Sequence, residues 1–466
     1  MRLIALPLLL ALSACAMTPA LVKPDAPIAA TYPVALGAGR EQAIGDLGWK
    51  TIFADPRLQR LIELALLNNR DLKLATLNAE AVQSQYRIAR AARLPTVEAV
   101  GSASRQRIPA NNEAMPAAGP SIQSQAGVNV GISAFEIDLF GRTRAESDAA
   151  LERYLASEEG KRAAQITLVG AIADAYFAER VADEQFRLAE QTVRDWRDSL
   201  ELTLQLQKAA QSSKLEIAQA EGQVASAEAD LQARQRSLAR ARNALALLIG
   251  TEIPAGLPVP MALDETVVQT NLSAGLPSEL LSRRPDILQA EHSLAAANAD
   301  IGAARAAFFP RLSLTSSLGF ASTSLGGLFS GDQRVWTFVP QISVPIFNAG
   351  RLRGELRLAE LRKSVAVVEY ERAIQIAFRE VADGLAGRET YGRQVLAQAW
   401  VVRKAEQRTD LATQRYRAGV DGRLELLDSQ RNLSAARQAL LELRREEISN
   451  AIALYKSLGG GLQAKG

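Results

Sequence analysis

Residues 284–310 read RPDILQAEHSLAAANADIGAARAAFFP, and residues 69–95 read NRDLKLATLNAEAVQSQYRIARAARLP. The two stretches match without gaps at an offset of 215, and each of them ends on a Pro. Farther along, the match continues at an offset of 209, which takes Gly141-Arg142 to Gly350-Arg351. An internal match of this extent predicts a chain built from two equivalent halves.

Each half predicts one helix, two strands and two long helices. Pro95 and Pro310 end the first helix of each half, because Pro disfavours helical backbone in the preceding residue. Strict alternation of apolar and small polar residues follows, which is typical of a strand with one apolar face. The apolar parity is held by Val128, Val130, Ile132 and Ala134 in the first half, and by Leu312, Leu314, Leu318, Phe320, Trp336 and Phe338 in the second. The stretches 109–124 and 322–331 read as hairpin loops, because they are rich in Gly, Ser, Ala and Pro.

The remaining parts of each half predict very long helices. Residues 141–208 and 351–417 contain no Pro, and at 1.5 Å per residue such helices would be roughly 100 Å long. The helix after residue 213 carries a seam of Ile, Leu, Val and Ala at alternating spacings of three and four, interrupted at Arg234. This spacing is typical of coiled-coil packing. The Arg-rich stretch 234–242 is expected on a solvated face, and His292 is expected to be a packing or surface residue.

Composition excludes several classes of protein. Among 466 residues there are 54 Lys and Arg and 51 Asp and Glu, with one Cys and one His. The near balance of charge argues against a nucleic-acid partner. One Cys and one His argue against a disulfide framework and a structural zinc site. No apolar run reaches the ~18 residues of a membrane-spanning helix, so a helical integral membrane protein is excluded.

The N-terminus resembles a processing signal. Arg2 precedes a short apolar stretch from Leu3 to Leu12, and Ser13-Ala14 precede Cys15. These features indicate a secretory signal with a bacterial lipobox, so that Cys15 would become the lipidated first residue of the mature protein. The alternative is a chance Cys in a plain signal peptide. A Pro-rich tether follows, expected to be extended and without a core of its own.

The strands leave two alternatives open. Four strands cannot close a membrane barrel, since single-chain barrels begin at eight strands. Hydrocarbon does not tolerate an open sheet edge. Either several copies share one barrel, or the strands form a four-stranded sheet on a soluble helical body. The signal and the apolar alternation favour the shared barrel.

The chain resembles the TolC-like outer membrane factors, in the NodT-type lipoprotein branch that serves RND-type multidrug efflux pumps. The resemblance spans Cys15 to Gly461. It is carried by GLPSELLSRRPDI at 275–287 and its continuation to Pro310, by Phe53-Ala54-Asp55-Pro56, and by FEIDLFGR at 135–142. It implies a mixed α and β membrane protein: a long α-helical coiled-coil barrel continuous with a β-barrel, with four strands per protomer and 12 in a homotrimer.

The resemblance also implies the function. The protein would be the exit duct of a tripartite pump in the Gram-negative outer membrane, lipid-anchored through Cys15, with its helical tunnel in the periplasm. Its partners would be a periplasmic adaptor (membrane fusion) protein, an inner membrane RND-type transporter and outer membrane lipid. No enzyme activity, metal or cofactor is expected besides the lipid. Alternatives are an exit duct for type I protein secretion or metal-ion efflux, and a lipid-anchored periplasmic coiled-coil scaffold without a pore.

The expected segments follow from the repeat and the resemblance together. They are a signal peptide (1–14), a lipid-anchored Pro-rich tether (15–46), first-half equatorial and short helices (47–95), a first β-hairpin (96–140), a first long helical hairpin (141–250), an equatorial linker (251–276), second-half short helices (277–310), a second β-hairpin (311–347), a second long helical hairpin (348–459) and a C-terminal tail (460–466).

A periplasmic gate is expected just past the turns that join the long helices. Glu425 and Asp428 share a helix face at i, i+3. By resemblance, Leu424 and Asp428 match the aperture ring of the family, and Glu216 matches its acidic partner in the other half. Three copies of an acid at a constriction would favour cations and raise carboxylate pKa values.

Two further residues and one alternative belong to this gate. Tyr416 and Arg431 match family residues that tie neighbouring helices, whereas Asp421 stands where some relatives place a basic latch residue. The alternative is that Glu425 and Asp428 only cap the helix that follows Gly422, because acids are favoured near helix N-termini.

Overall fold

The computed structural model describes residues 17–29, 31–32, 48–108, 121–263, 268 and 281–461. The mixed helix and strand content that the sequence predicts is confirmed. The helices are α1 (Trp49–Ile52), α2 (Pro56–Asn68), α3 (Arg70–Ala91), α4 (Arg142–Lys208), α5 (Lys214–Ile249), α6 (Pro285–Ala306), α7 (Arg351–Arg417) and α8 (Arg423–Ser457). The strands are β1 (Val97–Ile108), β2 (Ser121–Ile137), β3 (Arg311–Ser322) and β4 (Arg334–Ser343).

None of the helices in this part of the chain combines the length and the apolar composition that crossing a membrane requires.

The strands form one antiparallel sheet in the order β1-β2-β3-β4. On one face, Val128 stands opposite Phe320, Val130 opposite Leu318, and Leu318 opposite Trp336. These cross-strand pairs give the sheet an apolar face. That face is open in the single chain, since Leu318 is 59% exposed and Trp336 73% exposed.

A bulge in β2 corrects one detail of the predicted alternation. Between Ile132 and Phe135 the register with β3 shifts, and Ala134 takes a left-handed φ of 49°. Its backbone N–H donates to Thr315 Oγ1 at 3.1 Å. The extra residue interrupts the two-residue alternation of the strand, so Ala134 does not continue the apolar parity of Val130.

The first hairpin loop is shorter than the sequence indicates, because β2 already begins at Ser121. The second connection lies close to its predicted position, between the end of β3 at Ser322 and the start of β4 at Arg334. Two short 3₁₀ turns, Leu325–Gly327 and Gly331–Gln333, fill the second connection. The other predicted loop residues, 109–120, lie outside the described part of the chain.

The FEIDLFGR motif makes the turn from β2 into α4. Asp138 accepts hydrogen bonds from the backbone N–H groups of Arg142 and Arg144 and from Thr143 Oγ1, at 2.8, 2.9 and 2.8 Å. Side-chain acceptors of this kind satisfy N–H groups that have no partner within the helix. Glu136 pairs with Arg142 at 2.6 Å. Gly141 bends the chain with a φ of 77°. The motif is thus the start signal of a 67-residue helix.

The far ends of the long helices are joined to the short helices by two contacts of the same kind. Asn69 Nδ2 donates to the carbonyl oxygen of Leu248 near the end of α5 at 2.7 Å. Arg284 Nη1 donates to the carbonyl oxygen of Ser457 at the end of α8 at 2.9 Å. The matching stretches place Asn69 and Arg284 at equivalent positions, so both halves satisfy a terminal carbonyl from the residue before a short helix.

A glycine completes each joint. Gly250 and Gly459 follow the long helices with φ values of 75° and 89°. A Cβ on Gly250 would lie 2.5 Å from the carbonyl oxygen of Asn68, and one on Gly459 would lie 3.0 Å from that of Arg283. Both positions need the left-handed conformation that glycine adopts without strain.

The two joints differ in charge. Arg284, with a side chain only 8% exposed, also pairs with Asp286 at 2.6 Å and Glu380 at 2.8 Å. Burial without partners would disfavour the charged guanidinium, but these two carboxylates together raise the pKa of Arg284. The amide of Asn69 carries no charge, so only the second-half joint contains ion pairs.

The FADP motif gathers segments that are far apart in sequence. Asp55 is buried and accepts hydrogen bonds from the backbone N–H of Arg57 at 2.8 Å, from Tyr176 Oη at 2.6 Å and from the backbone N–H of Met261 at 3.2 Å. Asp55 therefore caps α2 and ties it to α4 and to the linker after α5. Burial raises the pKa of Tyr176, and the hydrogen bond to Asp55 adds to the increase.

The described part of the tether is docked on α6, a contact that the sequence does not predict. Lys23 Nζ pairs with Glu291 at 2.5 Å, and Asn298 Nδ2 donates to the carbonyl oxygen of Pro19 at 2.8 Å. A Cβ on Gly302 would overlap Thr18. Because these α6 residues are separated by whole helical turns, the segment runs along one face of α6.

Two polar residues have more partners than the sequence indicates. Arg234 donates to Gln185 on α4 at 3.2 Å and to Gln438 on α8 at 3.4 Å, so it bridges three helices instead of standing in solvent. His292 Nδ1 lies 2.7 Å from Glu152 on α4. All three partners come from other helices, where sequence spacing gives no signal.

We expect Gly250→Ala to lower the stability of the protein, whereas Gly256→Ala should leave it nearly unchanged. A left-handed conformation costs a residue with a Cβ about 1–2 kcal/mol, and the added methyl group would also press on Asn68. At Gly256 a Cβ meets no atom within 4 Å. The midpoint of thermal unfolding, followed by circular dichroism in detergent, should fall only for Gly250→Ala. Equal midpoints would contradict the role of this joint.

Candidate gate at the turns of the long helices

The candidate gate residues lie around two turns, one between α4 and α5 and the other between α7 and α8. The two turns start the following helices differently. Ser213 and Glu216 form a reciprocal capping box at the start of α5. Gly422 precedes α8 and offers no side chain to cap it.

Glu425 and Asp428 bind the same guanidinium group on α7. Arg408 Nη2 donates to Glu425 Oε1 at 3.0 Å and to Asp428 Oδ2 at 2.7 Å. Both carboxylates are on one face of α8, as the i, i+3 spacing predicts. The hydrogen bond to Glu425, followed by the one to Asp428, raises the pKa of the Arg408 guanidinium.

These contacts bear on the alternative that the two acids serve as helix caps. Asp428 also accepts a hydrogen bond from Asn432 Nδ2 at 3.1 Å. Within the described part of the chain, the side-chain hydrogen bonds of both acids go to Arg408 and Asn432, and none goes to the N–H groups of the first turn. The acids therefore join α7 to α8 and make no capping hydrogen bond, although Glu425 does lie in the first turn of α8, where a negative charge is favoured.

An open groove of about 1030 Å³ runs between α7 and α8 beside these residues. Leu424, Glu425, Asp428 and Arg408 all line it. Leu424 is 80% exposed, the largest value among the gate residues. The structure thus brings the three candidate residues of the second half together on an accessible surface.

Glu216 behaves differently from the acids of the second half. Its Oε2 accepts hydrogen bonds from Ser212 Oγ at 2.6 Å and from the backbone N–H of Ser213 at 2.8 Å. These hydrogen bonds lower the pKa of Glu216, and the one from Ser212 has the largest effect. The direction in the single chain is opposite to the increase expected for acids crowded in a ring, because hydrogen-bond donors favour the charged carboxylate.

The two residues expected to tie neighbouring helices differ in their contacts. Arg431 Nε donates to Gln223 Oε1 on α5 at 3.3 Å, so it joins the two hairpins. Tyr416 lines a groove between α7 and the Asp195–Gln205 part of α4, and burial raises the pKa of its hydroxyl. The described residues show no hydrogen bond from that hydroxyl to a neighbouring helix.

Sequence reasoning missed the basic partners of the gate. Arg408 lies 17 and 20 residues before the two acids that it binds. Arg415 Nη2 donates to Asp421 Oδ1 at 2.8 Å, and this pairing lowers the pKa of Asp421. Asp421 therefore forms an ion pair at the position expected for a basic latch. The sequence signal that could have revealed these partners is the recurrence of basic residues along α7 at helical spacing.

The remaining candidate, Cys15, lies outside the described residues. In the ranges that the structure describes, no group of three or more His, Cys, Asp or Glu residues could hold a metal ion.

The sequence and the fold of this chain match those of known proteins along nearly its whole length. The family model for the outer membrane efflux protein matches residues 61–251 and 276–460. The probable efflux pump outer membrane protein TtgC of Pseudomonas putida is 45% identical over 454 residues, which cover 97% of this chain and 93% of that protein. Outer membrane protein OprJ of Pseudomonas aeruginosa is 41% identical over 458 residues, which cover 98% of this chain and 95% of that protein.

A solved structure agrees with these relatives. The open state of the MtrE outer membrane channel of Neisseria gonorrhoeae has a TM-score of 0.89 and 40% identity, covering 96% of this chain and 99% of that chain. TtgC is described as an efflux pump protein and MtrE as a channel, and neither is described as an enzyme. The chain belongs to the outer membrane efflux protein family.

Proposed function

We propose that the protein is the outer membrane exit duct of a tripartite efflux pump and conducts small molecules passively from a periplasmic tunnel to the outside. The observation that carries this proposal is a four-stranded sheet with two free edges, continuous in sequence with two pairs of very long helices. A periplasmic adaptor and an inner membrane RND-type transporter would supply energy and select the substrate.

The free edges support a shared barrel. Among the described residues, β1 pairs only with β2 and β4 pairs only with β3. Unpaired backbone groups are not tolerated in hydrocarbon, so the edges need strands from other copies. Three copies contribute 12 strands, which is within the range of known barrels. The exposed apolar face at Leu318 and Trp336 would then contact lipid.

Exposed helix seams support the same trimer. On α7, Leu358, Leu361, Val365 and Val368 repeat at spacings of three and four, and they are 46–61% exposed. On α3, Leu74, Leu77 and Ile88 fit the same pattern and are 49–72% exposed. Apolar seams with this spacing bury themselves against another helix. Neighbouring protomers of a homotrimer would provide it.

The gate would lie at the periplasmic turns of the long helices. In a trimer, Leu424, Glu425 and Asp428 would form rings, with Glu216 nearby from the first half and Tyr416 and Arg431 beside them. The Arg408 pairs with Glu425 and Asp428 hold α8 against α7. Contact with the adaptor would bias these helices toward an open arrangement.

The position in the cell follows from the N-terminal sequence and the family. The outer membrane would hold the barrel, and a lipid on Cys15 would anchor the N-terminus beside it. Relatives named for antibiotic and toluene efflux pumps favour small-molecule export over type I protein secretion or metal-ion efflux, and over a scaffold without a pore.

Single-channel conductance in planar bilayers tests the pore and the gate together. We expect the wild type to give a small, cation-selective conductance that increases in a Glu425→Ala/Asp428→Ala double variant, because the acids would no longer hold Arg408 or concentrate negative potential. Glu442→Ala, which removes an exposed acid from the same helix, is the matched control. A wild type without conductance would contradict the duct, and equal large conductances would place the gate elsewhere.

A charge in the α7 seam tests the trimer. Val365→Glu should lower the fraction of trimer roughly tenfold or more, because an unpaired buried charge costs several kcal/mol. Ser364→Glu adds the same group at the neighbouring exposed position, outside the seam, and should leave the trimer intact. Native mass spectrometry in detergent measures both variants. Equal trimer content in the two would argue against this interface.

A further inference from the structure

Arg423 is buried at a position where sequence rules predict an acid or a neutral residue. It is the first residue of α8 and is only 4% exposed. The N-terminal end of a helix carries partial positive charge, which disfavours a cation there. Removing a guanidinium from water adds a further penalty. Contacts outside α8 must therefore offset both effects.

Those contacts join the second helical hairpin to both helices of the first. Arg423 Nη1 donates to Thr203 Oγ1 on α4 at 2.5 Å and to the backbone carbonyl oxygen of Glu216 on α5 at 3.0 Å. Thr203 is 1% exposed, and its hydroxyl donates to the carbonyl oxygen of Ser199 at 2.8 Å. The hydroxyl hydrogen is thus engaged, and its oxygen accepts from Arg423.

The guanidinium is not fully satisfied. Nη2 of Arg423 is buried without a hydrogen-bond partner in the described part of the chain. Burial lowers the pKa of Arg423, although Tyr416 and Glu216 act in the opposite direction. A buried donor without a partner carries a desolvation penalty. Separation of the hairpins would let water reach this group, so the contact holds the helices without making their separation prohibitive.

The internal repeat does not reproduce this contact in the other half of the chain. At the offset of 209, the position equivalent to Arg423 is Lys214, the first residue of α5, which is exposed. The position equivalent to Thr203 is Ala412, which has no hydroxyl. The start of α8 is therefore tied to the first hairpin, whereas the start of α5 has no matching tie to the second.

We propose that Arg423 is a positioning residue for the gate: it holds the start of α8, and with it Leu424, Glu425 and Asp428, against α4 and α5, and it must be released when the gate opens. This inference rests on the proposed channel function. The Arg408 and Arg415 pairs act within the second hairpin and are exposed to solvent. Arg423 spans the two hairpins and is shielded from water.

Three variants in the full-length trimer test the proposal. Arg423→Met keeps an unbranched side chain similar to the aliphatic part of arginine but removes the guanidinium donors, Thr203→Val removes the acceptor with little change of shape, and the double variant tests whether the two act together. We expect conductance to increase at least threefold in Arg423→Met and by less in Thr203→Val. The conductance of the double variant should not exceed that of Arg423→Met, because Arg423→Met already removes the contact that Thr203→Val removes.

A second measurement separates this role from general destabilisation. Amide hydrogen exchange should become faster at the start of α8 and around Thr203, and stay unchanged at the joint formed by Asn69 and Leu248. After normalisation to the conductivity of the bulk electrolyte, raising the salt concentration should increase wild-type conductance less than Arg423→Met does, because salt screens the exposed Arg408 pairs more than a buried contact.

The outcomes distinguish the two proposals. Conductance and exchange equal to wild type in both single variants would overturn the role of Arg423 and leave the channel intact. A wild type that does not conduct would overturn the channel itself. If Arg423→Met fails to assemble, Thr203→Val still decides the question, since faster exchange and larger conductance support the tie and wild-type behaviour overturns it.

Discussion

The last carbonyl groups of a helix have no hydrogen-bond partner within that helix, and this constraint organises much of the protein. Helices α5 and α8 are 36 and 35 residues long. In each of them a carbonyl oxygen near the C-terminus accepts a hydrogen bond from the side chain of the residue that precedes a short helix. The left-handed glycines Gly250 and Gly459 let the chain approach closely enough for this contact. The long helices α5 and α8 are therefore fixed at their C-terminal ends by specific hydrogen bonds.

The opposite ends of the same helices are held in another way. At the turn before α8, exposed ion pairs join Arg408 to Asp428 and Arg415 to Asp421, whereas the turn before α5 is held by the hydrogen bonds of its capping box. Exposed pairs contribute little net stability and weaken with salt. Once the Arg423 contact is released as proposed, these weak pairs hold the start of α8, and the helix can change its angle there with little loss of packing while its C-terminal end stays fixed.

The sequence predicts the elements well and the contacts between them poorly. Pro95, Gly141 and Gly250 mark element ends through backbone rules that act locally, and alternation reveals the strands. The partners of Asp428, Arg234 and His292 come from other helices, where the rotation of each helix decides which side chains meet. The bulge at Ala134 was missed for a related reason, because it depends on pairing with β3.

The docked N-terminal segment has a consequence for the order in which the chain matures. Pro19 binds Asn298, 279 residues farther along the chain. During synthesis, residues 17–25 emerge long before α6 exists to receive them, and contacts this distant in sequence form late. A segment that leaves the ribosome early thus becomes one of the last to reach its place, and its docking would report that the second half has folded.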